Sequence, residues 1–122
     1  MPRRVRQAAE YIAAALPSSR VVVMALLPRG STSGTALSPV SLNDFRWPSS
    51  YTPALSAVNR RLKKFVAGSR GRLHFLDCGP RFLAGDRRSI SQRLMPDALH
   101  PGTAGHRVLA ACLRNFIAPL MS

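Results

Sequence analysis

An aspartate and a histidine three residues apart, Asp97 and His100, stand in the run Met95-Pro96-Asp97-Ala98-Leu99-His100-Pro101. Within one turn, an aspartate carboxylate can accept a hydrogen bond from the Nδ1–H of a histidine at that spacing. Such a bond fixes the imidazole tautomer and leaves Nε2 free to take a proton from a nucleophile. Pro101 disfavours helical geometry at His100, so the imidazole is expected just outside the helix that follows. The plain alternative is a capped turn carrying an incidental histidine, and geometry has to decide between the two.

The elements that would hold this pair can be read from periodicity. Val5, Ala8, Ala9, Ile12, Ala13 and Leu16 recur at helical spacing, and Pro17 stops the pattern. Residues 20–27 form a nearly continuous apolar, β-branched run, as expected of a parallel strand covered on both faces, and Pro28 closes it. A second helix is expected from Thr52 as cap, with Pro53 at its first position and Leu55, Val58, Leu62, Phe65 and Val66 on its buried stripe. Arg60, Arg61, Lys63 and Lys64 then fall on the other face and toward the C-terminal end, where cations suit the helix dipole. Gly68 and Gly71 bracket a turn into a short strand, residues 73–76. Asp77 follows, at the end of the strand where open α/β sheets place ligands, and reads as a carboxylate that organises its loop. Thr103 is expected to cap a last helix with Val108, Leu109, Cys112, Leu113, Phe116, Ile117 and Leu120 on its apolar face, ending near Pro119. Helix, strand, helix, strand, helix implies parallel pairing through a helical crossover.

The block from Asp97 to Leu109, with Asp-x-x-His-Pro followed by Gly-His-Arg-Val-Leu, resembles the last conserved block of the SGNH/GDSL-type hydrolases. The run Val21-Val22-Val23-Met24-Ala25-Leu26-Leu27-Pro28-Arg29-Gly30 is similar to a strand of the platelet-activating factor acetylhydrolase-like branch, and Leu73-His74-Phe75-Leu76-Asp77 resembles that fold's last strand. The resemblance implies an α/β, flavodoxin-like, three-layer α/β/α sandwich with a parallel sheet. It would be incomplete, holding the last two strands and three helices, so that residues 1–122 make the C-terminal portion of an esterase domain. It implies His100 as general base and then acid, Asp97 as the residue that orients it, and acetyl or short acyl esters as substrates. It implies no cofactor and no metal. The family's Gly-Asp-Ser nucleophile block, its oxyanion-hole glycine block and its Gly-x-Asn-Asp do not occur in this sequence. The expectation is therefore a chain inactive alone and active only with the missing half, supplied in cis or as a separate chain; a homo- or hetero-oligomer is a further expectation.

Residues 30–50 read as a loop insertion, a lid or a segment tacked down by Phe45 and Trp47. Two look-alikes lie there. Gly30 and Gly34 have nucleophile-elbow spacing but enclose Thr32, with no helix at once after it. Ser41-Leu42-Asn43-Asp44 lacks the glycine of Gly-x-Asn-Asp.

Composition limits the rest. The chain has 122 residues, 46% hydrophobic, and a net charge of +13 that is nearly all arginine. The hydrophobic share argues against a disordered chain; the charge raises a basic nucleic-acid-binding module as a rival, with a non-catalytic relict that binds a partner as another. No specific nucleic acid is expected, because the cations form no long run and no aromatics interleave with them. No apolar run approaches the roughly 18 residues of a membrane span. Cys78 and Cys112 lack metal-ligand spacing, also with respect to His74, His100 and His106, and are expected as buried reduced thiols in a cytoplasmic protein. The Arg-rich N-terminus, with Glu10 its one acid, also has the make-up of an organellar transit peptide.

Overall fold

The computed structural model describes residues 2–31 and 44–121. Its elements are α1 (Pro2–Ala15), β1 (Val21–Met24), α2 (Thr52–Ala67), β2 (Leu73–Leu76), a 3₁₀ helix (Gly79–Phe82) and α3 (Thr103–Met121). The strands pair in parallel, with Val21 opposite Leu73 and Met24 opposite Leu76.

Alternation along the strands divides the core in two. Val21, Val23 and Leu73 point to one face, where they are buried with Ala9 of α1 and with Leu62 and Val66 of α2. Leu76 and Met24 point to the other face and pack against a second cluster that includes Cys78, Phe82, Ile90, Met95 and Cys112. Val108 and Leu109 of α3 join that cluster. Two helices thus lie on one face and one on the other, in a three-layer α/β/α arrangement. It is an incomplete flavodoxin-like sandwich. Phe45 and Trp47 also pack on the second cluster, and Phe45 accepts the Ile90 N–H at its carbonyl, 2.7 Å. These two aromatics fasten the end of the 30–50 segment to the core. Its residues 32–43, including Ser33, Gly34 and Ser41-Leu42-Asn43, lie outside the described residues.

Several expectations are corrected. The β1 ladder is shorter than residues 20–27, because β2 offers only four residues before Asp77 leads into the 3₁₀ helix. Ala25 still donates to the Leu76 carbonyl at 2.9 Å. Beyond it, the Asn59 side chain takes over as partner: its Oδ1 accepts the Leu26 N–H at 2.8 Å and its Nδ2 donates to the Leu26 carbonyl at 3.1 Å. The extended backbone toward Pro28 is therefore held by α2 rather than by a strand. Thr52 is the first residue of α2 rather than its cap; Tyr51 takes the cap position, with no side-chain cap bond. The Thr52 hydroxyl instead accepts the Ser49 N–H, 2.8 Å. Thr103 likewise begins α3, and the Gly102 carbonyl accepts the His106 N–H in the cap role, 2.9 Å. Pro119 lies inside α3, where so close to the terminus it forfeits one backbone bond without ending the helix.

The expected stripe of α1 is only partly covered. Ala9 is buried and Ala13 half-buried, whereas Val5, Ile12 and Leu16 are 39%, 43% and 56% exposed. The small alanines pack α1 against the core cluster it shares with β1 and α2, while its larger side chains stay exposed on a molecule whose sheet has two strands.

Cys78 and Cys112 are joined in a disulfide rather than held as reduced thiols. Their spacing of 34 residues hid this, because the pairing depends on β2 and α3 lying back to back. Closing a loop of that length stabilises a fold by about 2–4 kcal/mol.

Candidate active site

The Asp97–His100 turn is built from the backbone upward. Met95, wholly buried, anchors its start, and its carbonyl accepts the Ala98 N–H at 2.9 Å. Ala98 is fully buried and left-handed, with φ 60°. That conformation costs an alanine roughly 1 kcal/mol and swings the next two N–H groups toward Asp97. Asp97 Oδ1 accepts both, from Leu99 at 2.9 Å and from His100 at 2.6 Å.

The other carboxylate oxygen is left for the imidazole. Asp97 Oδ2 lies 2.6 Å from His100 Nδ1. The His100 side chain is 74% exposed, and its Nε2 is the ring nitrogen outside this contact. Partial burial works to raise the Asp97 carboxyl, but the His100 N–H, the imidazole and the Leu99 N–H outweigh it. The net effect holds Asp97 below the usual carboxylate value. It is thereby kept ionised, the state that can accept at both oxygens.

Two glycines fix the turn in the fold by close approach. The Gly30 N–H donates to the Ala98 carbonyl at 2.8 Å, which ties the loop after β1 to the turn. A Cβ on Gly30 would overlap the Asp44 carbonyl. At the start of α3, a Cβ on Gly105 would overlap the Leu94 carbonyl oxygen and crowd the Pro101 ring. Gly102 donates to that same Leu94 carbonyl at 2.9 Å. The sequence places Gly30 at the end of the β1 run and Gly105 in the block after His100, but gives neither a close-approach role, and it does not single out Asn59. A glycine one helical turn after His100, and an asparagine at the edge of an apolar helical stripe, were the available signals.

Asp77 sits where expected and organises its own loop, accepting the Gly79 N–H at 2.8 Å. It borders a pocket of about 160 Å³ at the C-terminal ends of both strands, with Leu26, Pro28, Trp47, Leu55 and Asn59 among its walls. Asp97 and His100 do not line that pocket. They lie on the loop side of the same strand ends, joined to the β1 loop through Gly30. His74 is not brought to either place: its ring meets Phe116 of α3 edge-on at 6.5 Å. His106 is exposed on α3. Among the described residues no three histidine, cysteine, aspartate or glutamate side chains gather to hold a metal.

The chain superimposes on a protein described as a platelet activating factor from Streptococcus pneumonia, with a TM-score of 0.69 at 11% identity, over 95% of this chain and 50% of that one. It also matches an acylhydrolase described from Bacteroides fragilis, TM-score 0.68 at 14% identity, over 100% and 54%. A GDSL-like lipase from Bacteroides thetaiotaomicron gives 0.64 at 12% identity, over 98% and 54%. At these identities the likeness shows a common fold. The chain spans about half the length of each of these proteins. No protein-family model and no curated protein matches the sequence. Among the described residues no helix is long and apolar enough to cross a membrane.

Proposed function

We propose that this chain is the Asp–His lobe of an SGNH/GDSL-type serine esterase of the platelet-activating factor acetylhydrolase-like branch, acting on acetyl or short acyl esters. The observation that carries this reading is the His100 Nδ1 contact to Asp97 Oδ2, with the opposite carboxylate oxygen committed to backbone donors. A carboxylate held in that way orients an imidazole and stabilises its cation without itself taking the proton. His100 Nε2 would take the proton of a serine hydroxyl as that oxygen attacks the ester carbonyl. It would then deliver the proton to the leaving alkoxide, and water would repeat the cycle on the acyl-enzyme. The serine and the glycine and asparagine donors to the oxyanion are supplied from outside these 122 residues, as the C-terminal portion of a longer domain or by a second chain. The uncovered side chains of Val5, Ile12 and Leu16, beside a two-stranded sheet, support such a completing half.

The test is to supply that half. A segment carrying Gly-Asp-Ser and Gly-x-Asn-Asp blocks, expressed in cis or alongside this chain, should give saturable hydrolysis of p-nitrophenyl acetate, and this chain alone should not exceed the buffer rate. Hydrolysis by this chain alone that survives His100→Ala and vanishes with Ser31→Ala would overturn the assignment.

A further inference from the structure

The furrow between α1 and α2 has no part in the esterase chemistry. Its two walls are helical stripes of the same spacing. Arg3 and Arg6 rise from α1, Arg61 and Lys64 from α2, and Arg72 closes one end. The space between them is open and amounts to about 940 Å³. Glu10 is the one acid on its walls.

Among the described residues none of these five cations forms an ion pair; the two carboxylates that do are Asp44, with Arg46, and Asp97, with His100. Arg6 lies over the Phe65 ring with its guanidinium carbon 5.0 Å from the ring centre. Arg72 donates to the Ser69 carbonyl at 3.3 Å. These contacts orient two guanidinium groups and leave their charge uncompensated. Five like charges around one concavity raise a positive potential that a chain of phosphates would relieve. Dipole complementarity at the C-terminal end of α2 explains Lys64. It does not explain why Arg3, Arg6 and Arg72 converge on the same furrow from other segments.

We propose that this furrow binds the phosphodiester backbone of a single-stranded nucleic acid, without base specificity. Guanidinium groups match phosphate oxygens in two-point hydrogen bonds, and a positively charged groove is what tracks the backbone of a single strand; Phe65 lies under Arg6 and against the core, so the groove reads the backbone and not the bases. The concavity favours an extended strand over a duplex, whose convex body would rest on the rims. It also favours a strand over a bilayer, because a flat surface meets the crests rather than the floor. A second copy of this chain is disfavoured there by like charge.

The experiment measures fluorescence anisotropy of labelled 20-nucleotide RNA and DNA strands of one sequence, titrated with the full chain taken from a single soluble gel-filtration peak whose mass is the same for every variant. Two double variants of equal charge change are compared: Arg61→Gln with Lys64→Gln in the furrow, and Arg107→Gln with Arg114→Gln on α3, across the sheet. All four side chains are exposed, so the fold should tolerate the changes. The furrow pair should weaken binding about tenfold or more and lower the slope of log K against log salt by about 1.4, at ~0.7 per phosphate contact. The α3 pair should shift affinity less than about twofold. Equal losses from both pairs would mean that net charge alone attracts the strand, and the proposal falls. It also falls if neither strand binds at about 50 mM salt, or if only phosphatidylserine vesicles bind through Arg61 and Lys64. Binding of RNA alone, of DNA alone or of both, with the furrow dependence intact, upholds it and identifies the source of the strand.

Discussion

His100 Nδ1 and Asp97 Oδ2 are 2.6 Å apart, and the same aspartate receives the His100 backbone N–H on its other oxygen at 2.6 Å. One residue thus orients both the main chain and the ring of the other. Rotation of the imidazole is therefore coupled to the turn itself. A change that loosens the turn should also misalign the ring.

That coupling predicts a large effect of a small change. In an enzyme completed by the nucleophile half, Asp97→Asn should keep the turn, since an amide oxygen can still accept the two N–H groups. It should lower kcat by on the order of 10⁴, because the amide would present N–H to Nδ1 and favour the wrong tautomer. His100→Ala should abolish turnover. An enzyme whose kcat is indifferent to Asp97→Asn would remove the catalytic role given to this pair.

The lowered Asp97 value makes a statement about acid. A carboxyl with a depressed folded value stabilises the fold fully above its unfolded value, about 3.9, and the contribution fades as pH falls through the depressed value. The turn should hold at pH 5 and loosen only below about pH 4. The carbon chemical shift of the Asp97 carboxyl, followed by NMR between pH 6 and 2, checks this; a midpoint above 4 would contradict the geometry.

The cystine can be checked by mass. Alkylation without reductant should add nothing to the chain, and alkylation after reduction should add two groups, on Cys78 and Cys112. Reduction should speed amide hydrogen exchange in the first turns of α3, with a loss of about 2–4 kcal/mol. Two groups added before any reduction would show that the thiols are free.

Asn59 should matter more than its place on a helix suggests. Asn59→Ala removes both bonds to Leu26, at a cost of about 0.5–1.5 kcal/mol for each net hydrogen bond. Asn59→Asp keeps the acceptor, loses the donor and sets a carboxylate against the Leu26 carbonyl, so it should not rescue. Thermal midpoints of the three proteins, taken with the completing half present, would measure this, and equal midpoints would refute it.

The uncovered side of the molecule predicts association. Val5, Ile12 and Leu16 are exposed beside a sheet of two strands, and such edges template further pairing. The chain alone should scatter light as oligomers or aggregates, and Ile12→Lys with Leu16→Lys should raise the share of monomer. A dilute monomer of the unaltered chain that unfolds in urea in one sharp transition would mean that these elements suffice for a fold, and the half-enzyme reading should then be dropped.

The local order of elements and one candidate site can be read from the chain without its fold. The apolar period of α1 and α2, the β-branched run of β1 and the order of helices and strands are properties of neighbours in the chain, and periodicity reports them. Asp97 and His100 were legible for the same reason: three residues and a proline hold their relation within a single turn. The helix starts at Thr52 and Thr103 are not legible in the same way, because whether a hydroxyl caps its own helix or bonds another backbone group depends on the φ and ψ of the residues before it. The tertiary structure decided whatever joins distant segments. The Cys78–Cys112 bond needs β2 against α3. The Asn59 hold on Leu26 needs α2 beside the end of β1, and the five-cation furrow needs two helices lying side by side. The exposure of Val5, Ile12 and Leu16 follows from how little sheet lies beneath α1. None of these is a property of a window of sequence, because each depends on which surfaces meet when the apolar faces are buried together.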